Sequence, residues 1–216
     1  MNASVNRGCF ISIEGTEGVG KSTQIQALTD RLSERGQSYV LTREPGGTEV
    51  GEAIRNLLLS TELPGMDHRT ELLLMFAARA EHIHAKIIPA LEAGSWVISD
   101  RFTDASFAYQ GGGRQLPMEK IAGLESWLQD GFGPDFTLLL DAPVEVGLAR
   151  AQKRGPQDRI EQEAVEFFER VRQTYLDRAA AEPDRFRIVD AAQDEQTVTR
   201  DVLLAIDDIA RSWGAA

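Results

Sequence analysis

The stretch Cys9-Phe10-Ile11-Ser12-Ile13-Glu14 runs directly into Gly15-Thr16-Glu17-Gly18-Val19-Gly20-Lys21-Ser22-Thr23, and the reading of this junction decides the fold. The first segment is mostly apolar and of strand length. Ile25, Leu28 and Leu32 then recur at near-helical spacing through Arg35. Between the two stands G-x-x-x-x-G-K-S, so the unit is strand, phosphate loop, helix. Polyphosphate binding requires backbone N–H groups converging at a bend too tight for side chains, and Gly15, Gly18 and Gly20 permit that bend. Lys21 is expected to reach the β- and γ-phosphates, and the Ser22 hydroxyl to join the shell of Mg²⁺. A Gly-rich turn that merely joined strand to helix would need no Lys-Ser pair at the helix start. The junction therefore predicts a nucleoside triphosphate with its metal, and leaves open where the phosphoryl group goes.

The 216 residues, 42% hydrophobic and 26% charged, suit one domain with one sizeable core. A formal net charge of −11 argues against sequence-independent binding to nucleic acid or to an anionic membrane, so anionic ligands must meet local basic clusters. The single cysteine, Cys9, cannot form an internal disulfide and reads as a small buried hydrophobe in a reducing compartment. No apolar targeting segment opens the chain, and no run approaches the ~20 apolar residues of a membrane span. The expectation is a cytoplasmic protein.

Strands are expected near residues 9–14, 38–42, 95–99, 135–140 and 186–189, with helical stretches between them. Such alternation, with right-handed crossovers, gives a five-stranded parallel sheet with helices on both faces. Arg43-Glu44-Pro45-Gly46-Gly47-Thr48 follows the second strand, where α/β sheets bind ligands, and Thr48 is placed to cap a helix from Glu49 to Leu59. Residues 69–93 form the longest helical stretch, with Leu72, Met75 or Phe76, Arg79 and Ile83 along one side. Phe76 could stack on a base while Arg79 donates to its carbonyl edge. By spacing alone, Phe76 in the core with Arg79 at its rim is the simpler reading.

Asp100-Arg101 closes the third strand. Asp100 is placed to hold Mg²⁺ or its water shell across from Ser22, and Arg101 to clamp a phosphate. Asp141, after the most apolar strand, competes for the metal role; Asp100 is preferred because its neighbour Arg101 supplies phosphate chemistry. Ser106, Tyr109 and Gln110 share a face of the next helix and offer hydrogen bonds and a ring to a nucleoside. Gly111-Gly112-Gly113 is expected to end that helix flexibly. Arg150, Lys153, Arg154 and Arg159 crowd around Gly155-Pro156, and composition alone reads them as a solvated loop. The alternative is a segment that closes over ATP.

Taken together, Glu14 to Gln24, Thr42 to Thr48 and Asp100-Arg101-Phe102, in this order and spacing, resemble the thymidylate kinase family. The likeness extends through Ser106 to Arg114, Leu139-Leu140-Asp141 and the basic stretch at 150–161. It implies a single nucleoside monophosphate kinase domain over residues 1–216, of the P-loop nucleoside triphosphate hydrolase fold. A mobile lid at about 150–161 and a homodimer formed through helices are implied with it. The implied reaction is transfer of the γ-phosphoryl group of ATP to dTMP, giving ADP and dTDP, with Mg²⁺.

By this resemblance Gly15, Thr16, Glu17, Gly18, Val19, Gly20, Lys21, Ser22 and Thr23 hold the donor phosphates, with Arg150 on the adenine side. Phe76 becomes the base-stacking aromatic and Arg79 the arginine that faces the thymine carbonyl. Ser106 and Gln110 face the base or the nearby phosphate, and Tyr109 stands near the sugar and disfavours a 2′-hydroxyl. Arg101 grips the acceptor phosphate, Glu17 stands near the 3′-hydroxyl, and Arg43, Glu44 and Pro45 border the acceptor. Some members carry a catalytic arginine in the phosphate loop, where this chain has Val19 after Glu17 and Gly18. The resemblance is thus to the bacterial type, and it moves that role to the lid, onto Arg154 and Arg159, with Lys153 a weaker candidate.

A regulatory GTPase would need Asn-Lys-x-Asp, which Asn2, Asn6 and Asn56 do not provide. Asp130-Gly131-Phe132-Gly133 matches Asp-x-x-Gly but follows a helix instead of a strand. A kinase for another nucleotide, such as dUMP, stays open on sequence alone.

Overall fold

A computed structural model describes residues 7–63, 65–153 and 158–214. Every residue of β1 (Phe10–Glu14) is buried, and because strand side chains alternate, Ile11 and Ile13 enter one layer while Phe10 enters the other. In β3 (Trp96–Asp100) Trp96 and Ile98 join the first layer and Val97 the second. In β4 (Phe136–Asp141) Leu138 and Leu140 divide from Leu139 in the same way. Strands that are apolar on both faces must be covered on both faces, which is what a parallel sheet requires. With β2 (Tyr39–Arg43) and β5 (Phe186–Asp190) they form one sheet of order β2-β3-β1-β4-β5, parallel at every pairing. All five strands lie within one residue of where the apolar runs placed them.

On the first face, α1 (Lys21–Glu34) and α9 (Glu195–Gly214) bury Ile25, Leu28, Leu32, Val198, Val202 and Ile206. The Thr48 side chain accepts from the Gly51 amide at the start of α2 (Glu49–Leu59), the cap expected there. On the second face, α3 (His68–His82), a wide π-helical turn (Ile83–Ile87) and α4 (Ile88–Glu92) follow one another along the long stretch expected at 69–93. Pro89 lacks an amide to donate, and the widened turn ends two residues before it. Ile83, Ile87 and Leu91 pack on Phe10 and Val97, while α8 (Val165–Ala181) sets Phe168, Val171 and Tyr175 on Leu139.

One local expectation is corrected. Gly111, Gly112 and Gly113 do not end a helix flexibly; they belong to a π-helical stretch (Phe107–Gly113) that continues α5 (Thr103–Ser106) and lies against α8. A Cβ on Gly112 would stand 2.2 Å from Thr174 Oγ1 and 2.8 Å from the Arg170 carbonyl oxygen. Close approach to α8 at Gly112 and Gly113, and to Met118 at Gly111, rather than freedom of the chain, accounts for the glycines. The remaining helices are α6 (Met118–Gln129) and α7 (Val144–Ala151).

Register decides what meets at the rim. Asp100 stands opposite both Ile13 and Arg43, so the loops after β1, β2 and β3 leave the sheet side by side. From β3 the chain then crosses over β1 to β4, the kind of switch at which α/β sheets open a ligand crevice. Among the described residues no helix is long and apolar enough to cross a membrane.

Candidate active site

A cavity of about 710 Å³ opens over this rim, within the usual range of ligand sites. Its wall takes in Glu17 to Gln24, Arg43-Glu44-Pro45, Asp100-Arg101, Tyr109, Gln110 and Arg150. Gly15 and Thr16 are not part of the wall. Lys21, Arg43, Arg55, Arg101 and Arg150 gather there in a chain of net charge −11, the local basic cluster that an anionic ligand demands. A second cavity of about 880 Å³ contains no phosphate loop, and its Asp104 is already paired with Arg178 and Arg185. Chemistry, not volume, distinguishes the two.

The phosphate loop lies directly on α7. A Cβ at Gly18 (φ +70°) would fall 1.8 Å from the Gly147 carbonyl oxygen, so no other residue fits. The Lys21 ammonium folds back to donate to the Gly15 and Thr16 carbonyls at 3.2 and 3.0 Å. Burial, reinforced by the nearby Arg101 charge, moves its pKa below the ordinary lysine value.

Arg101 follows β3 with φ +73°, a strained conformation for a residue with a side chain. The guanidinium donates to the Gly15 carbonyl (2.9 Å), the Tyr175 hydroxyl (3.2 Å) and Glu17 Oε1 (2.7 Å). It also lies over the Tyr109 ring at 4.6 Å, and the Tyr109 hydroxyl donates to the same Glu17 oxygen at 2.9 Å. Burial works to lower the Arg101 pKa, yet the oxygens of Tyr109, Glu17 and Tyr175 outweigh it and raise the value. Behind this cluster Glu14 accepts from the Phe102 amide and the Tyr175 hydroxyl, both at 2.7 Å. Burial, with the neighbouring Asp104 carboxylate, pushes its pKa up to about 8.

The two competing carboxylates have different surroundings. Asp141 is gripped at both oxygens by Arg172, at 2.7 and 2.8 Å. Asp100 shares the cavity wall with Ser22, and its buried Oδ1 has no hydrogen-bond partner. A hard divalent cation or its water would satisfy such an atom.

In the loop after β2 Glu44 accepts from Arg79 Nε at 2.7 Å and meets His82 Nδ1 at 3.0 Å. Arg79 Nη2 donates to the Phe102 carbonyl (3.2 Å) and to Ser106 Oγ (3.0 Å), and the guanidinium lies 4.7 Å from the Phe76 ring. Phe76, Arg79 and Ser106 are buried outside the wall; the residue of that turn on the wall is Met75. Arg43 pairs with Glu52 at 2.9 Å, while Arg55, which sequence reading missed, donates to the Pro45 carbonyl at 3.0 Å from within the cavity. Its only signal was a place on the helix that leaves the Arg43–Thr48 loop.

On α7 Arg150 Nη1 donates to the Ala191 carbonyl at 2.8 Å. Asp158, Ile160 and Glu161 line the cavity, but Arg159 between them points elsewhere. It is 7% exposed and donates to Glu71 Oε2 at 2.7 Å and to the Leu58 carbonyl at 2.8 Å. Lys153 is not on the wall, and Arg154 lies outside the described residues.

Comparison with known proteins agrees with this chemistry. The thymidylate kinase family profile matches residues 13–202. A thymidylate kinase of Vesicomyosocius okutanii is 54% identical over 198 residues, 92% of this chain and 97% of the relative. One from Pseudomonas putida is 56% identical over 195 residues (90% and 93%), and one from Methylobacillus flagellatus 51% over 209 residues (97% and 100%). With the phosphate loop and Arg101 on one cavity and this likeness across nearly the whole chain, the protein belongs to the thymidylate kinase family.

Proposed function

We propose that this chain transfers the γ-phosphoryl group of ATP to dTMP, giving ADP and dTDP. The observation that carries the reading is a single cavity holding both a phosphate loop and, beside it, the Arg101–Glu17–Tyr109 cluster. One binds a polyphosphate; the other suits a second phosphate with a sugar attached. Family membership supports both assignments.

Phosphoryl transfer needs in-line positioning and charge neutralisation more than a protein nucleophile. A phosphate oxygen of the acceptor attacks, and ADP leaves. Gly15 to Thr23 cradle the donor, and Lys21 exchanges its two loop carbonyls for β- and γ-phosphate oxygens. Arg150 stands at the adenine edge. Arg101 holds the acceptor phosphate, fixed by Glu17, which also faces the sugar 3′-hydroxyl, while Tyr109 fills the space beneath the sugar. Arg43, Glu44, Pro45, Phe76, Arg79, Ser106 and Gln110 form or support the base and phosphate walls.

Ser22 and Asp100 fit Mg²⁺, directly or through water, because the Asp100 Oδ1 atom is buried and unpartnered beside the donor site. The cation would neutralise charge between the β- and γ-phosphates. The chain acts as one domain; Arg159 anchors the described end of the 150–161 stretch to Glu71, and the role of neutralising the transferring phosphoryl group stays with Arg154, outside the described residues. Val50, Leu57 and Leu73, 49% to 57% exposed on α2 and α3, offer an apolar face to a second copy, and we assign a homodimer. The lone buried thiol, Cys9, suits a cytoplasmic protein.

The test is ADP release from Mg-ATP with dTMP, dUMP, dCMP, ribose thymidine monophosphate or no acceptor. Preference for dTMP over dCMP and the ribose form is expected. Equal rates with those acceptors overturn the pocket assignments, and hydrolysis indifferent to every acceptor overturns the kinase reading.

A further inference from the structure

Two buried polar atoms near the acceptor side of the cavity have no hydrogen-bond partner: Arg79 Nη1, a donor, and Gln110 Oε1, an acceptor. The two ends of an amide differ in polarity but hardly in shape, so its neighbours must dictate which way it points. For Gln110 that neighbour is Glu71, whose Oε1 lies 2.9 Å from Gln110 Nε2. An ionised carboxylate only accepts, so the NH₂ must turn toward it and the carbonyl oxygen is left free.

Glu71 itself is 1% exposed and surrounded by cations. Arg114 donates to both of its oxygens at 3.2 Å, and Arg159 to Oε2 at 2.7 Å. Burial would raise its pKa, but the Gln110 and arginine contacts prevail and hold it below the usual carboxylate range. Arg79 is immobilised in the same manner by Glu44, Ser106 and the Phe102 carbonyl, and its free nitrogen can only donate.

We infer that Glu71 is a specificity-determining positioning residue: by orienting the Gln110 amide, it makes the base pocket present an acceptor at Gln110, while the separately held, buried Arg79 supplies the donor. That pair complements a pyrimidine with a C4 carbonyl and an N3–H, as in thymine and uracil. Cytosine, with an amino group at C4 and a bare N3, opposes both contacts and leaves buried groups unpaired. Glu71 touches no substrate and acts through Gln110. The inference rests on the dTMP reading above.

The experiment compares kcat/KM for dTMP and dCMP in the wild type, Glu71→Gln and Arg159→Met. Glu71→Gln keeps the shape but offers both a donor and an acceptor, so Gln110 can turn over. Its dTMP-to-dCMP ratio is expected to fall at least about tenfold. Arg159→Met leaves the contact to Gln110 in place and is expected to keep the ratio. Parallel loss on both substrates in Glu71→Gln, with the ratio unchanged, overturns the inference, because a merely structural residue would behave that way. Should Glu71→Gln not fold, NMR of the wild type labelled with heavy nitrogen decides. The Gln110 side-chain amide protons, assigned by their absence in Gln110→Met, are expected downfield and slow to exchange, and averaged signals overturn the inference. A wild-type enzyme that does not favour dTMP over dCMP overturns the acceptor reading first, before any variant is made.

Discussion

Replacing Arg159 by methionine separates an anchor from a transition-state arginine. The guanidinium is 7% exposed and holds two acceptors, Glu71 Oε2 at 2.7 Å and the Leu58 carbonyl at 2.8 Å. Removing one partner of a buried ion pair costs about 3–5 kcal/mol when the other charge is left alone. Here Glu71 keeps Arg114 and Gln110, which reduces that figure, while the Leu58 carbonyl loses a bond worth about 1 kcal/mol. Methionine preserves most of the apolar stem. The net expectation is a loss of about 2–3 kcal/mol, or roughly 5–10 °C in Tm for a domain of this size. Urea titration and calorimetry measure it, alongside kcat at saturating substrates. A kcat loss below about tenfold is expected, because an arginine on the transferring phosphoryl group contributes on the order of 10³–10⁵. An unchanged unfolding midpoint with a thousandfold lower kcat, about 4 kcal/mol of barrier, would refute the anchor and return Arg159 to the reacting phosphate.

Glu14, with its pKa raised to about 8, binds a proton in the folded state that the unfolded chain has released above its ordinary value near 4.5. Stability therefore falls as pH rises between those two values, and Glu14→Gln should flatten that part of a Tm-against-pH curve; an identical slope in the variant counts against the burial argument. Gly112→Ala forces a Cβ to 2.2 Å from Thr174 Oγ1, so a loss of about 1–3 kcal/mol in urea unfolding is expected, and an unchanged midpoint would show that the two helices do not need their close approach. Asp100→Asn keeps the shape but weakens the site for a cation, and activity should need about 10- to 100-fold more Mg²⁺. A superimposable Mg²⁺ titration would remove Asp100 from the metal site.

Legibility from the residues followed the range of the interactions. The five strands, the Thr48 cap and the phosphate loop were readable because local periodicity, turn chemistry and backbone geometry act within a few neighbouring residues. Arg43, Asp100, Arg101, Tyr109 and Gln110 could be named in advance because they follow strands or share a helix face, and they meet on one cavity wall. Partners far apart in the chain were not readable. Arg159 and Glu71 are 88 residues apart, and nothing in the basic stretch distinguishes an arginine aimed at a nucleotide from one aimed at a buried carboxylate. Helical spacing set Met75 or Phe76 along one side of the helix and favoured Phe76 in the core, where it packs with Leu72, Phe107 and Ile121; that Met75 reaches the cavity wall followed only from the packing of α3. Asp100 and Asp141 end the strands on either side of β1 in like fashion until Arg172, from a helix that follows both, takes up Asp141. The sequence by itself determined which faces are apolar, where the backbone must turn and which chemistry stands at the strand ends. Only the tertiary structure decided which charge answers which, because a side chain's partner depends on what packing brings opposite it, and a linear pattern carries no information about the opposite side.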